Sequence, residues 1–444
     1  MADGRLSDRQ VRLAAAGAAL VIGGGVLLFD HALAPAVRGG LGIICFVTII
    51  FACSSAPRAV NWRTVAWGMA LQLGFALFIL KFRIGDWRPG YALFAEVAGA
   101  VEQFLLFTRT GAEFVFGGLA NQEVMSKVFP GGFVFAFMGL PVIIFVAACF
   151  SVLYHLGVLQ FVVRVAARLM MRLMQTSGAE TLAGVAEVFL GHTEAPLIVR
   201  PYVVRMTQSE LLAIMTCGLA TISGGMMAVY IAIGADPVAI LTTSVMAAPC
   251  GLYLAKILLP ETDEPETRGS AVTAVDRPHA NVVDAFAAGA SDGTTLAINV
   301  GAMLIAFLAL LALVDHLLGL VHPALSLAAI FARILAPAAL LIGVPVADVP
   351  AVADLLGTKL VANEFVAYIK LTTQYRATMS PEAFSLATYA LTGFANVGSI
   401  GILLGGLGGM APSRRGDLAR LSGRALLAGF LATMINASMA SMLL

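Results

Sequence analysis

Apolar runs alternate with short arginine-bearing connections along most of this chain. Several runs approach the ~20 residues that a helix needs to cross a bilayer. Residues 13–33 and 41–53 are separated by a turn at Pro35 and Arg38, and residues 64–80 follow a loop carrying Arg58 and Arg63. Residues 85–116 mix aromatics with Glu96, Glu102, Arg109 and Glu113, so they are expected on the membrane surface or at a protein interface. Residues 133–154 read as a span. In 155–175, Arg164, Arg168 and Arg172 recur four residues apart, which puts them on one face of an amphipathic interfacial helix. Further spans are expected at 209–233, 238–259, 294–313, 385–410 and 418–441.

Two stretches break this pattern. Between Thr176 and Pro201, three carboxylates and a histidine interrupt apolar arms at 182–190 and 195–204, each too short to cross alone. Gly191 can turn the chain, and Pro196 suits the first turn of a new helix. His192, Thr193 and Glu194 therefore form the tip of a re-entrant hairpin, tolerated at membrane depth only where protein or water surrounds it. A second pair of short arms, 352–361 and 365–372, flanks Ala362, Asn363 and Glu364. Each hairpin is followed by a helix with a breaking sequence inside it, Thr221-Ile222-Ser223-Gly224-Gly225 in the first case and residues 394–401 in the second. This order predicts an inverted repeat, the arrangement that marks a transporter site. The fold class is thus an all-α polytopic membrane protein with about nine transmembrane helices, two re-entrant helical hairpins, two interrupted helices and interfacial amphipathic helices.

Composition agrees, with 59% hydrophobic and 12% charged residues in 444 and a formal net charge of +1. No basic surface large enough for nucleic acid can be built from it. Cys45, Cys53, Cys149, Cys217 and Cys250 lie in apolar stretches without CxxC spacing and read as small buried hydrophobes. The amino-terminal run lacks a convincing cleavage site and reads as a retained span. The arginine distribution places the amino terminus in the cytoplasm and the carboxyl terminus outside. The expected organisation is an extra amino-terminal helix (1–39), a scaffold region (40–155), and a first transport half (156–259) with its hairpin at 178–206. A polar linker (260–281), an interfacial helix with a scaffold span (282–322), and a second transport half (323–444) with its hairpin at 348–375 complete it.

Glu194 and Glu364 at midplane are costly unless they face a polar site. Two carboxylates beside Thr193, Asn396 and Ser399 suit a neutral solute rich in hydroxyl and N–H groups. The stretches GHTEAPLIVRPYVVRMTQSELLAIMTCGLATISGG, GTKLVANEFVAYIKL and LTGFANVGSIGILLGGLGGMAPSRRGDLAR resemble the concentrative nucleoside transporter family, as do SVLYHLGVLQ and AINVGAMLIAF in the same order. The likeness runs from about residue 40 to the end. It implies a homotrimer in a bacterial inner membrane, in contact with lipid, whose protomers import a nucleoside by an elevator-like motion, coupled to H⁺ or Na⁺ and without a cofactor. It also implies substrate contacts from His192, Thr193, Glu194, Glu364, Phe394, Asn396 and Ser399, and a coupling-ion site, a possible Na⁺ site, at Glu187, Leu190, Thr221 and Ile222.

Two positions depart from the family. His192 stands where glutamine is usual, and Glu187 replaces an asparagine of the sodium-coupled members. Glu187 could ligate Na⁺ as a hard oxygen donor or carry a proton itself, and the balance leans to H⁺. A channel or an intramembrane enzyme built on the His/Glu cluster is the alternative, but no HExxH or comparable spacing supports an enzyme.

Overall fold

The computed structural model describes residues 7–128, 134–192, 194–269 and 279–444. Thr193 and much of the polar linker lie outside these. Described regular structure is helical apart from one bridge between Ile84 and Trp87. Helices α1 (Asp8–Leu28), α2 (Pro35–Ala52), α3 (Trp62–Leu80) and α4 (Pro89–Phe116) open the chain, and the single turns α5 (Gln122–Met125) and α6 (Phe135–Met138) lead to α7 (Leu140–His155). The amphipathic α8 (Val158–Met174) buries Val163, Ala167, Met170 and Met174 and turns Arg164, Arg168 and Arg172 away from them.

The first hairpin consists of α9 (Gly178–Leu190) and a returning arm of 3₁₀ helix (Ala195–Val199) plus α10 (Arg200–Val203). Pro201, seven residues into that arm, lacks the N–H that would continue a helix, so the arm does not form a regular α-helix. The next helix is split into α11 (Gln208–Ala220) and α12 (Gly224–Ala232), followed by α13 (Pro237–Leu258). The second half has α14 (Val282–Val321), the short α15 (Leu327–Ile334) and α16 (Ala336–Ile342), and a hairpin of α17 (Val349–Val361) and α18 (Glu364–Lys370). A second split helix, α19 (Pro381–Leu391) and α20 (Val397–Met410), precedes α21 (Arg415–Leu443).

Eight helical stretches among the described residues are long and apolar enough to cross a membrane: Asp8–Leu28, Pro35–Ala52, Trp62–Leu80, Pro89–Met125, Phe135–His155, Gln208–Ala232, Pro237–Leu258 and Pro412–Leu443. Pro89–Met125 is among them although Glu96, Glu102, Arg109 and Glu113 fall within it. The apolar stretches Leu308–Val321 and Val397–Met410 are shorter.

α14 differs from the sequence expectation of a surface helix and a separate span, because it runs unbroken for 40 residues. Its glycines explain this. Methyl groups added at Gly289 and Gly293 would lie 2.6 Å from Ser151 Cβ and 2.8 Å from Ala147 Cβ, so both glycines are the seam on which α14 rests against α7. Apolar surface gains little from leaving lipid, and close backbone approach through small residues supplies the packing instead.

α11, α13 and α21 form the buried centre. Gly251 and Gly429 let α13 and α21 close on α11 at Cys217 and Leu219. Within residues 40–155, α2 and α3 lie against α13 and α21, α7 pairs chiefly with α14, and α4 touches both α3 and α7. Capping boxes start α9 (Ser177 with Glu180) and α11 (Thr207 with Glu210). Lys256, at the carboxyl end of α13, pairs with Glu180 at 2.7 Å and Glu261 at 3.1 Å and donates to Ser209 at 2.9 Å. One buried ammonium thereby ties three helix ends together.

A second polar cluster fixes α3 to the centre. The Gln72 amide donates to Asn436 Oδ1 at 2.6 Å, Tyr253 donates to Gln72 Oε1 at 3.0 Å, and Asn436 donates to Thr243 Oγ1 at 3.1 Å. Replacing Asn436 with alanine strands the Gln72 amide, a loss of about 1–3 kcal/mol. The thermal midpoint of the detergent-solubilised protein should fall clearly; a midpoint equal to wild type would contradict this role.

Candidate functional site

The two split helices cross at their breaks. α11 ends at Ala220, where Thr221 leaves the helical conformation, and Ser223 Oγ starts α12 by accepting the Met226 N–H. α19 ends at Leu391, and Asn396 Oδ1 starts α20 by accepting the Ser399 N–H at 2.8 Å. Between these ends the Phe394 N–H donates to the Thr221 carbonyl at 3.1 Å. Gly393 is required at this crossing, because a methyl there would approach the Ala220 carbonyl oxygen to 2.9 Å and Thr433 Cγ2 to 2.6 Å.

Both hairpin tips reach this crossing. In the second hairpin, Asn363 accepts the Val366 N–H at 2.9 Å and starts α18, whose first residue is Glu364. The buried Glu364 carboxylate accepts from Tyr230 Oη at 3.0 Å and from Asn396 Nδ2 at 2.8 Å. Tyr230 is itself held by the ring of Tyr368, stacked at 4.3 Å, and Tyr368 Oη reaches Thr392 at 2.7 Å. An ionised carboxylate offers about four acceptor positions, so acceptor capacity remains for a ligand.

In the first hairpin, Gly191 turns the chain with φ +84°. The His192 ring lies edge-on to Phe394 at 4.8 Å. Both its nitrogens are buried and have no hydrogen-bond partner among the described residues. Glu194 is exposed, beyond the tip. Of the expected substrate contacts, the structure thus brings His192, Glu364, Phe394, Asn396 and Ser399 to one crossing, while Thr193 lies outside the described residues.

Glu187, Leu190, Thr221 and Ile222 are all buried, on α9 and in the first helix break. Neither oxygen of Glu187 has a hydrogen-bond partner among the described residues. A methyl at Gly218 would meet His192 Cβ at 2.6 Å and Glu187 Oε1 at 3.2 Å, so both side chains lean on one glycine of α11. The Thr221 hydroxyl donates to the Cys217 carbonyl at 2.9 Å and keeps acceptor capacity. A carboxylate, a hydroxyl and the carbonyls of two helix ends are hard oxygen donors suited to Na⁺, and the same acid could bind a proton.

Sequence reasoning missed Tyr230, Tyr368 and Lys359. Tyr230 lies in an apolar run seven residues past a break, with no local signal that its hydroxyl meets a carboxylate 134 positions away. Lys359 is legible in the sequence only as a charge in a short arm, with no local sign of its partners.

Three family models cover most of the chain. They are described as Na⁺ dependent nucleoside transporter N-terminus (residues 41–119), nucleoside recognition gate (136–237) and Na⁺ dependent nucleoside transporter C-terminus (239–441). An uncharacterized transporter of Haemophilus influenzae is 42% identical over 412 residues, covering 90% of this chain and 96% of that one. Sodium/nucleoside cotransporter 1 of Mus musculus is 40% identical over 454 residues, covering 96% of this chain and 67% of the mouse protein. The solved structure of CNTnw in an inward-facing substrate-bound state superposes with a TM-score of 0.86 at 37% identity, over 92% of this chain and 98% of that one. A doubly substituted CNTnw in an outward-facing state gives 0.87 at 38% identity, with the same coverages. These relatives are transporters and not enzymes, and the chain is a multi-pass nucleoside cotransporter. It belongs to the concentrative nucleoside transporter family.

Proposed function

We propose that the protein accumulates nucleosides by symport with a cation, binding the nucleoside where the hairpin tips meet the crossed helix breaks. The observation that carries this reading is the Glu364 carboxylate, buried and oriented by Tyr230 and Asn396 with acceptor capacity to spare. Sugar hydroxyls can donate to the acceptor capacity that remains, and charge-assisted bonds of this kind are roughly twice as strong as neutral ones. His192 and Phe394 face the base, Thr193, Asn396 and Ser399 supply polar contacts, and Glu194 flanks the entrance.

The coupling cation binds at Glu187 with Leu190, Thr221 and Ile222. Na⁺ is the preferred ion, because the matching family models and mammalian relatives are described as sodium-dependent, which reverses the balance drawn from sequence alone. H⁺ remains the second reading, favoured by the unpartnered Glu187 carboxyl. In either case the cation acts on the tip. Glu187 and His192 share Gly218 as a contact, so filling the Glu187 site fixes the end of α9 and with it the imidazole facing the base. Alternating access follows an elevator path in a homotrimer embedded in the bacterial inner membrane, with the amino terminus cytoplasmic and the carboxyl terminus outside. The moving unit comprises the hairpins, the split helices, α13 and α21, and the packing of α2 and α3 against that unit favours including them.

Glu364→Gln keeps shape but removes charge, so nucleoside uptake should fall at least about ten-fold, the loss of one charge-assisted bond, at near-normal protein abundance. Undiminished uptake would remove Glu364 from the site. His192→Gln should reorder a panel of competing purine and pyrimidine nucleosides more than it alters the rate; an identical ranking would take His192 off the base. Proteoliposomes given Na⁺ and pH gradients separately decide the ion. Uptake of labelled uridine should follow the Na⁺ gradient, and Glu187→Gln should abolish accumulation while leaving downhill exchange. Accumulation driven by a pH gradient without Na⁺ would overturn the sodium assignment in favour of H⁺.

A further inference from the structure

The second hairpin carries two acids and two bases: Asp354 and Lys359 on α17, Glu364 and Lys370 on α18. Asp354 and Lys370 form an ion pair across the arms, and Tyr375 donates to the same carboxylate at 2.8 Å. Lys359 is different, for it is fully buried and meets no carboxylate directly among the described residues. Its ammonium donates to the Ala390 carbonyl at 2.8 Å and to Thr433 Oγ1 at 2.9 Å, and lies 5.6 Å from the centre of the Phe430 ring. It stands in the last turn of α17 and touches the residue before the last of α19, so it occupies the carbonyl ends of two half-helices, where positive charge is favoured. Glu364 opens α18 across the tip of the same hairpin, five residues after Lys359.

The first hairpin repeats this layout with the opposite charge. α9 and α17 each have 13 residues. Glu187 lies in the last turn of α9 and against Gly218 in the last turn of α11, again at the carbonyl ends of two half-helices. There the negative ends meet an acid and no resident cation among the described residues, whereas in the second hairpin the same place is filled by a side chain.

We propose that Lys359 is a positioning residue, a tethered cation that fills in the second hairpin the place that the coupling ion takes in the first, and that balances Glu364. The second half of the site is thereby electrically closed, and the exchangeable cation is directed to Glu187. This rests on the symport reading above. Lys359 touches neither the solute nor the exchangeable ion; it acts by holding the α19 end and by supplying the charge that Glu364 requires while nucleoside binds.

The test counts the cations linked to binding. Equilibrium binding of labelled uridine to the purified full-length protein is measured over a pH series and a Na⁺ series, for wild type, Lys359→Arg and Lys359→Gln. In Lys359→Gln the carboxylate has lost its resident partner, so one more cation must enter with the nucleoside. The magnitudes of the slopes of log Kd against pH and against log [Na⁺] should together increase by one, an additional change of about ten-fold in Kd per ten-fold change in cation. Lys359→Arg should keep the wild-type slopes. Equal slopes in wild type and Lys359→Gln would overturn the proposal. The comparison is a difference, so a wild type without cation dependence would count against the coupling site, while the difference between variants would still decide the role of Lys359. If Lys359→Gln does not reach the membrane, Lys359→Gln combined with Glu364→Gln removes both charges and should restore its level toward that of Glu364→Gln. A double variant as depleted as the single one would overturn the proposal.

Discussion

The structure depends on one constraint: in hydrocarbon no water is present to satisfy a broken helix, so each interrupted end must find its partner inside the protein. The chain breaks two helices and turns two hairpins at its centre, and it meets the constraint locally and at a distance. Ser223, Asn363 and Asn396 cap the helices that restart. Two further carbonyls are met across the crossing, Thr221 by the Phe394 N–H and Ala390 by the Lys359 ammonium. The backbone groups used in this way fix the two breaks against each other. A polar site thus arises where the helices could not otherwise have been interrupted.

Charge is handled by the same rule. Lys256 serves Glu180 and Glu261 at one end of the centre, Lys370 serves Asp354 between the arms of the second hairpin, and Glu364 is held by two neutral donors. Among these buried acids, Glu187 stands apart because it meets no donor among the described residues. A buried polar group without a partner costs free energy, and a buried charge costs far more, so this carboxyl is stable only when it holds a proton or a cation. That need is what a coupling site requires: occupancy must matter to the fold of the tip.

Much of this plan was legible in the sequence, for physical reasons that differ by element. The arginine stripe of α8, the turning glycine at Gly191 and the acid at Glu364 each violate the apolar pattern locally, and local violations can be read without a structure. α14 reads from sequence as a surface helix followed by a span because its first turns are semi-polar, whereas its packing through Gly289 and Gly293 against α7 is explained only by the partner helix. Tyr230 and Lys359 could not be given roles from their neighbours in sequence, since their partners lie 134 and 31 or more positions away.

The geometry also limits how ion and solute can communicate. Their sites do not share a ligand; they share Gly218, with the acid on one side and the imidazole on the other. Coupling through such a contact is steric and reciprocal, because whatever holds Glu187 against α11 also limits where His192 can stand, and a base pressing on His192 limits Glu187 in return. A side chain at position 218 would separate the two, and a longer route through the α11 end would have to replace the contact. In the proposed coupling the absence of a Cβ at this one residue therefore matters as much as the Glu187 carboxyl itself.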